Sequence, residues 1–218
     1  MKSLIALPLL AAGLIASPAW AEKGDVTLRL RGILVAPNEK SGSVLPAFPG
    51  EKVSVDDSVM PEVDVTWMAS DHFGFELIAA TTKHSASGRT GTTGSIGTLA
   101  STWVLPPTLT AQYHFLPEGK VRPYVGAGIN YTLFYAEDAS SGLEAAVGKT
   151  KVSMSDSVGY ALQAGVDIDL NPRVFLNLDI KFLDIDTDAT LRTTAAGTQK
   201  VRIELNPIVF GVGLGIRL

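Results

Sequence analysis

The feature that most constrains this chain is a strict alternation of side chains at its C-terminal end. The last strand-like segment alternates large apolar residues with glycine, placing Phe210, Val212, Leu214, Ile216 and Leu218 against Gly211, Gly213 and Gly215. Successive residues of a β-strand point to opposite faces, so this pattern gives one apolar face and one face with almost no side chains. Such a strand is typical of a barrel wall with lipid outside and a crowded lumen inside.

The N-terminal segment has the three parts of an export signal. Lys2 supplies a positive start, residues 4–15 are apolar, and Pro18 precedes an Ala-Trp-Ala cleavage motif at 19–21. The apolar run is shorter than the ~20 residues that a membrane-spanning helix requires. We therefore predict a cleaved signal peptide over residues 1–21.

The composition of the predicted mature domain, residues 22–218, excludes several classes of protein. Removal of the signal segment takes away one lysine, so 17 basic and 22 acidic residues remain, and no basic surface for nucleic acid is indicated. The chain has no cysteine, which excludes a disulfide scaffold. No mature segment has 18 consecutive apolar residues, which excludes helical membrane spans. An exported β-domain or an outer-membrane barrel remains.

Alternation recurs in eight segments of the mature chain. They are residues 26–36, 59–69, 73–79, 103–115, 121–135, 158–170, 174–182 and 201–218. A soluble β-sandwich would also alternate. Several of these runs, however, carry six or seven apolar residues on one face, more than a typical strand of about 5–6 residues supplies. Aromatic residues also lie near the ends of the runs, where the interfacial girdles of membrane barrels occur.

The connections between these segments alternate in length. Residues 70–72, 116–120 and 171–173 form short links, whereas residues 38–55, 85–101, 137–155 and 186–200 form long ones. Short periplasmic turns and long extracellular loops are the signature of outer-membrane barrels. The sequence therefore predicts an all-β fold, an eight-stranded antiparallel transmembrane β-barrel with short periplasmic turns and long extracellular loops, located in the bacterial outer membrane.

Two local features refine this prediction. In the last segment the apolar positions change parity at Asn206 and Pro207, which predicts a β-bulge inside the eighth strand. In the third long loop, residues 143–147 precede Gly148 and predict one or two helical turns.

Five segments carry a family resemblance. They read WVLPPTLTAQ at 103–112, VRPYVGAGINY at 121–131, DHFGFELIAA at 71–80, DIDT at 184–187 and NPIV at 206–209. Together they resemble the OmpW family of outer-membrane proteins, which includes AlkL-like members, over essentially the whole mature chain. The resemblance implies an eight-stranded barrel with a narrow, partly apolar lumen, associated with uptake of small hydrophobic molecules. Such barrels usually end in Phe, whereas this chain ends in Leu218.

Strand parity places charged side chains in the periplasmic half of the lumen. The predicted polar plug consists of Arg29, Arg31, Glu76, Arg122, Asp167, Asp169 and Asp179. Unpaired charges are costly in a low-dielectric lumen, so we expect these arginines and carboxylates to pair. A paired plug would stop an apolar solute from reaching the periplasm through the lumen.

The same parity places apolar side chains in the outer half of the lumen. The predicted hydrophobic vestibule consists of Ile33, Val35, Met60, Ile78, Val104, Phe134 and Leu183, which we predict to bind the ligand. An alternative stays open, in which both sets of residues only pack together, as in eight-stranded barrels without a pore.

A solute that enters the vestibule needs a sideways exit. Pro106 and Pro107 lie inside a predicted strand and supply no backbone N–H group to the ladder. Together with Gly126 and Gly128 they form the predicted lateral gate, although the prolines alternatively only bend the strand. The predicted function is thus a channel for passive uptake of small hydrophobic molecules with lateral release into the bilayer.

Two other functions stay open. One is an envelope structural or interaction barrel whose loops bind partners or phage. The other, a lipid A-modifying enzyme, is disfavoured because His84 and Ser85 have no acidic residue in the adjoining loop to complete a catalytic set. We therefore predict that the protein is not an enzyme.

Neither a metal nor a cofactor is predicted. The histidines at 72, 84 and 114 lie in a turn, at a loop edge and in a strand, which disfavours a zinc site. The aspartates at 184, 186 and 188 lack the glycine and final glutamate of a calcium-binding loop. The predicted partners are outer-membrane lipid, lipopolysaccharide, small hydrophobic solutes and, through the C-terminal strand, the assembly machinery. The sequence fixes no oligomeric state, and a monomer is compatible with it.

Overall fold

The computed structural model describes residues 23–218, so the predicted signal peptide lies outside the described residues. The described part contains fifteen strands and two short helices. In chain order the strands are β1 Val26–Ala36, β2 Lys40–Ser41, β3 Val53–Val55, β4 Ser58–Met68, β5 Phe73–Ala80, β6 Thr82–Gly88, β7 Thr98–Leu105, β8 Thr108–His114, β9 Val121–Ala139, β10 Thr150–Met154, β11 Ser157–Asp169, β12 Val174–Leu183, β13 Asp186–Thr193, β14 Gly197–Glu204 and β15 Ile208–Arg217. The helices are α1 Gly91–Ile96 and α2 Ser141–Val147. Within residues 23–218, no helix is long and apolar enough to cross a membrane.

Eight of the strands form a closed antiparallel barrel, which confirms the predicted fold. The ring order is β1, β4, β5, β8, β9, β11, β12 and β15, and β15 pairs with β1 to close it. Closure leaves no free strand edge in the lipid, where unpaired backbone groups would find no water. Short turns join β4 to β5, β8 to β9 and β11 to β12 at one end, as the connection lengths predict.

The outer face of the barrel is apolar around its middle. Leu30, Leu77 and Ile129 are each more than half exposed on this face. Aromatic pairs border the apolar band. The rings of Phe73 and Tyr113 lie 5.1 Å apart near the short turns, and those of Trp103 and Tyr135 lie 6.4 Å apart toward the other end. Aromatic girdles of this kind mark the two membrane interfaces.

Above the band, the long connections form an ordered outer region. The β5–β8 connection is a hairpin of β6 and β7 with α1 at its tip, and the β12–β15 connection is a hairpin of β13 and β14. The second hairpin also pairs with β10 and β2, which gives a four-stranded outer sheet. About half of the residues in the predicted long loops therefore belong to strands.

The predicted helical turns at 143–147 are confirmed within α2. The Ser140 hydroxyl accepts a hydrogen bond from the Leu143 N–H group at 3.0 Å, which satisfies one free donor of the first turn. Gly148 ends the helix with φ of 79°, a backbone conformation that favours glycine.

The predicted bulge at Asn206 and Pro207 is wrong. Phe182 pairs with Ile208 below these residues and Asp186 pairs with Glu204 above them, so one register continues across the whole hairpin. The predicted eighth strand is instead two strands, with β14 in the outer sheet and β15 in the barrel.

The change in apolar parity at this point has another physical cause. Ile203 and Leu205 of the outer region point inward and are buried, whereas Phe210 and Val212 point outward and are about half exposed. The backbone keeps its alternation, but the surroundings of the wall change from water to lipid. Apolar side chains consequently move from the inner face to the outer face.

Candidate functional site

The lower part of the lumen is filled by buried charges around Arg29. This side chain is 1% exposed, with Nη1 3.1 Å from Asp64 Oδ1 and 3.3 Å from Glu76 Oε1. Its Nη2 lies 3.0 Å from Asp167 Oδ2, and its Nη1 also donates to the Thr66 hydroxyl at 2.6 Å. One guanidinium therefore joins carboxylates from three different strands.

Arg31 lies two residues further along the same face of β1 and extends this cluster. Its Nε lies 2.8 Å from Glu62 Oε1, and its Nη2 lies 2.7 Å from Asp64 Oδ2 and 3.2 Å from Glu76 Oε1. Nη1 donates to the Asn177 side-chain oxygen at 3.1 Å. Glu76 thus bridges the two arginines in the middle of the barrel.

Lys181 forms the upper border of the charged region. Its Nζ lies 2.8 Å from Glu62 Oε1 and 2.6 Å from Asp179 Oδ1, with all three side chains buried. Because both carboxylates also contact Arg31, the border and the centre form one connected set of ion pairs.

The periplasmic border is built around an aromatic ring. Arg122 and Arg217 each reach Asp169 Oδ1 at 2.5 Å. The guanidinium carbons of Arg29, Arg122 and Arg217 lie 5.3 to 5.6 Å from the centre of the fully buried Phe175 ring. Cation–π attraction therefore adds to the ion pairs at this end.

Neutral side chains satisfy many of the remaining carboxylate oxygens. Gln163 Nε2 donates to Glu76 Oε2 at 2.7 Å and to Asp179 Oδ2 at 2.9 Å. The Tyr124 hydroxyl donates to Asp179 Oδ2 at 3.0 Å, and Asn177 Nδ2 donates to Asp167 Oδ1 at 2.8 Å. Buried carboxylates are tolerated because such partners replace the lost water.

We call this set of ion pairs the lumen network. Its charged members are Arg29, Arg31, Glu62, Asp64, Glu76, Arg122, Asp167, Asp169, Asp179, Lys181 and Arg217. All seven residues of the predicted polar plug are among them. The prediction omits Glu62, Asp64, Lys181 and Arg217, although strand parity, the signal that places Arg29, also puts these four on the lumen face.

The glycines of β15 make room for the lumen network. A Cβ atom at Gly213 would lie 2.1 Å from the Leu30 carbonyl oxygen and 2.6 Å from Arg31 Cα. A Cβ atom at Gly215 would lie 2.2 Å from Phe175 Cζ. The C-terminal alternation therefore reflects close packing against arginine and phenylalanine rather than an open channel.

Above the lumen network lies an apolar cavity, which we call the outer cavity. Six of the seven predicted vestibule residues line it, namely Ile33, Val35, Ile78, Val104, Phe134 and Leu183. Met60 does not, and lies half-buried on the lumen side of β4. The cavity has a volume of about 70 Å³, several times the 10–15 Å³ that about one water needs. Glu62 and Lys181 form its floor.

The wall beside the outer cavity lacks one rung of its hydrogen-bonded ladder. Pairing of β5 with β8 ends at Ile78 and Thr108 and resumes in the same register at Thr82 of β6. Ala80 and Pro106 are the opposed pair between these points, and both line the outer cavity. Pro106 has no N–H group, and its carbonyl accepts the Thr108 hydroxyl at 2.9 Å. We call this position the open rung.

The other residues of the predicted gate, Pro107, Gly126 and Gly128, lie along the neighbouring ladder between β8 and β9. The Tyr131 N–H group donates to the Pro107 carbonyl at 3.0 Å. Pro107 has no N–H group to donate in return, so this ladder keeps one of the two hydrogen bonds at this position. Gly126 and Gly128 lie lower on β9, within its uninterrupted pairing with β8. The structure therefore brings the prolines, but not these two glycines, to the broken part of the wall.

The histidines are separated, as their positions in the sequence indicate. His114 lies in the lower lumen beside Gln112, His72 lies at a turn, and His84 lines the outer cavity. Within residues 23–218, no three His, Asp or Glu side chains are grouped to hold a metal ion.

Comparison with known proteins identifies relatives along the whole described chain. The OmpW family model matches residues 22–218. Outer membrane protein W of Escherichia coli K12 is 38% identical over 220 residues, covering 100% of both chains. The dibenzothiophene metabolism operon protein PahQ of Pseudomonas aeruginosa is 29% identical over 206 residues, covering 92% of both. The crystal structure of the outer membrane protein OprG from Pseudomonas aeruginosa matches with a TM-score of 0.86 and 30% identity, covering 93% of this chain and 99% of that one.

The structural match to OprG agrees with the closed barrel. The OmpW and OprG relatives are outer-membrane barrel proteins rather than enzymes, and they place this protein in the outer membrane. The chain belongs to the OmpW family of outer-membrane proteins, as the sequence resemblance predicts.

Proposed function

We propose that this protein is an outer-membrane channel for passive uptake of small hydrophobic molecules. A solute enters the outer cavity from outside the cell, is stopped by the lumen network and leaves sideways through the open rung into the bilayer. The position of the outer cavity is the observation that carries the proposal. It combines apolar walls, a charged floor at Glu62 and Lys181, and a side wall at Ala80 and Pro106.

The energetics of the two exits favour the sideways route. To move down the lumen, a solute must separate Lys181 from Glu62 and Asp179, which lie within 2.8 Å of it. Breaking a buried ion pair costs about 3–5 kcal/mol, and an apolar molecule offers no replacement contacts. Entry into lipid carries no such cost for an apolar molecule, because both the outer cavity that it leaves and the lipid that it enters are apolar.

The open rung supports an exit at this height of the wall. Thr82 lies four positions after Ile78, so about 13 Å of strand lies between paired positions where a complete ladder would pair every ~7 Å. The outer face there lies between Leu109, which faces lipid, and the Trp103 and Tyr135 girdle. A solute that passes the rung therefore arrives beside lipid chains rather than in water.

The name of one relative agrees with an apolar cargo. PahQ is named for an operon of dibenzothiophene metabolism, and dibenzothiophene is a fused aromatic molecule without a charged group.

The proposal is tested by closing the open rung. We expect the double variant Pro106→Val and Pro107→Val, which restores two backbone donors, to reduce uptake to the level of cells without the protein. The measurement is entry of N-phenyl-1-naphthylamine, an apolar dye that intact lipopolysaccharide excludes, into cells that lack other OmpW-family proteins. Pro123→Val is the matched control, because Pro123 pairs with Val166 in the lower barrel, away from the outer cavity.

Two results would contradict the proposal. Unchanged dye entry in the double variant would exclude the open rung as the exit. Equal dye entry with and without the wild-type protein would exclude uptake altogether and favour an envelope structural or interaction role for the outer region.

A further inference from the structure

Polar atoms flank the open rung within the otherwise apolar outer cavity. Thr82, Thr102 and Thr108 line this side of the cavity and are 2–7% exposed. The Thr108 hydroxyl donates its hydrogen to the Pro106 carbonyl at 2.9 Å, and the Thr102 hydroxyl lies 3.2 Å from the Tyr135 carbonyl, to which it donates. A hydroxyl whose hydrogen is used in this way presents only its lone pairs to a ligand.

The hydroxyl hydrogen of Thr82 is also used, in a hydrogen bond to His84. His84 Nδ1 lies 2.8 Å from the Asp56 carbonyl oxygen, and a carbonyl can only accept, so Nδ1 carries the hydrogen. In the neutral ring Nε2 is then an acceptor, and the Thr82 hydroxyl donates to it at 3.0 Å. Thr82 therefore also offers only an acceptor to the cavity.

The open rung itself supplies a donor. The backbone carbonyl of His72, just before β5, accepts a hydrogen bond from the His114 backbone N–H group at 2.8 Å. Hydrogen-bonded pairs recur every second residue, so the even-numbered residues of β5 form the hydrogen-bonded pairs with β8. By the same alternation, the Ala80 N–H group points toward Pro106, where the described pairing is interrupted. A backbone donor that lines an apolar cavity and has no acceptor carries a free-energy cost that a suitable ligand atom removes.

We infer that the open rung binds a hydroxyl group, and that the preferred solutes are apolar molecules with one hydroxyl, namely aliphatic alcohols and phenols. This inference rests on the proposed function and names its substrate class. The ligand hydroxyl donates to the oxygen of Thr82 or Thr108 and accepts from the Ala80 N–H group. An ether or ketone has no hydrogen for the threonines, and a hydrocarbon leaves both partners unpaired.

A matched pair of solutes isolates the hydroxyl group. Naphthalene and 2-naphthol share one ring system and differ by a single hydroxyl, and both are fluorescent. In cells with intact lipopolysaccharide, we expect the double variant Thr82→Val and Thr108→Val to lower 2-naphthol uptake about two- to tenfold, the range for one hydrogen bond, with naphthalene uptake unchanged. The double variant Thr82→Ser and Thr108→Ser keeps both hydroxyls and is expected to behave as the wild type.

Folding is checked separately, by the heat-dependent mobility shift that folded barrels show in gels. An unchanged ratio of 2-naphthol to naphthalene uptake in the folded valine variant would overturn the inference. An equal fall in both solutes would also overturn it, because that result indicates a general change of the cavity.

A second measurement does not depend on uptake. With the wild-type barrel in lipid nanodiscs, we expect 2-naphthol to shift the Ala80 amide proton resonance in NMR spectra, and naphthalene to leave it unchanged. If the wild type takes up neither compound, the proposed channel function fails, whereas the Ala80 resonance still decides whether the rung binds a hydroxyl. An Ala80 resonance that responds equally to both compounds, or to neither, would contradict the inference.

Discussion

The membrane-spanning half and the outer half of this molecule distribute their side chains in opposite ways on the same continuous strands. In β12, Leu178 and Ile180 face outward and are 41% and 43% exposed, while Asp179 and Lys181 face the lumen. In the outer sheet the apolar residues face inward instead, as at Leu191 of β13, which is 9% exposed. The register of the hairpin does not change between the two halves.

The difference shows that the surroundings of the wall, not the backbone, decide which face is apolar. Lipid outside the lower half favours apolar outer positions and allows a charged interior only if the charges are paired. Water outside the upper half favours an ordinary apolar core. The outer cavity lies where the two arrangements meet, with Lys181 from the lower half as its floor and Ile203 from the upper half in its wall.

The largest expected effect comes from unbalancing the lower interior. Arg31→Leu leaves Glu62, Asp64 and Glu76 without one of their cations, and we expect a loss of about 3–5 kcal/mol in the free energy of unfolding. Urea unfolding of the barrel in lipid vesicles, followed by tryptophan fluorescence, measures this loss. The matched change in the upper half is Arg202→Leu, which removes an exposed pair with Asp186 and should cost at most about 1 kcal/mol. Similar losses for both variants would remove the contrast.

The second effect concerns the outer face. Ile129→Arg puts a charge on the lipid side of β9, and we expect a loss of about 2–4 kcal/mol, the range for a residue near the middle of the bilayer. Ser153→Arg, on the exposed face of β10, should change stability by less than about 0.5 kcal/mol. The same urea experiment compares them, and a costly Ser153→Arg would mean that lipid also surrounds the outer sheet.

The third effect tests whether the halves unfold together. Ile203 is 2% exposed in the outer core, and Ile203→Ala should destabilise that core by about 2–3 kcal/mol through the cavity it leaves. We expect faster hydrogen exchange at β13 and β14 amides and unchanged exchange in β1 and β4. Equal acceleration in the barrel strands would show that the two halves form a single cooperative unit.

The smallest effect is a pH response of the outer region. Hydrogen bonding by the Thr93 side chain and by the N–H groups of Thr93 and Thr92 lowers the pKa of Glu51. The stabilisation of α1 is therefore present above the ordinary Glu value of 4.5 and is lost as the pH falls through the lowered folded value. NMR titration of the Thr92 and Thr93 amides should show this loss in the wild type and not in Glu51→Gln. An identical titration in both proteins would assign the response to another group.

The barrel was predictable from sequence because lipid imposes a strict two-residue period. Alternation at Phe210 to Leu218 and in the other strands fixes which side chains face lipid, and parity alone assigns Arg29, Arg31 and Glu76 to the lumen. The same rule extends to Glu62 and Lys181, which the prediction omits, because each of these residues lies on the lumen face of its strand.

Features that depend on neighbouring strands were not predictable in this way. The change of apolar parity at Asn206 suggested a bulge, because a single strand does not show where lipid gives way to water. The open rung requires the knowledge that Ala80 lies opposite Pro106, a pairing across more than twenty residues of sequence. Gly128 belongs to the strand next to the prolines, but it pairs with Thr110 at a lower position, where the ladder between β8 and β9 is intact.

The lumen network also has an electrical consequence. Its five cations and six carboxylates are held at ion-pair distances across the full width of the lower barrel. An ion that crossed the lumen would have to separate these buried ion pairs, which carries a large free-energy cost. In the proposed channel, an apolar solute leaves through the wall at the open rung, whereas an ion in the lumen meets the ion pairs of the lumen network.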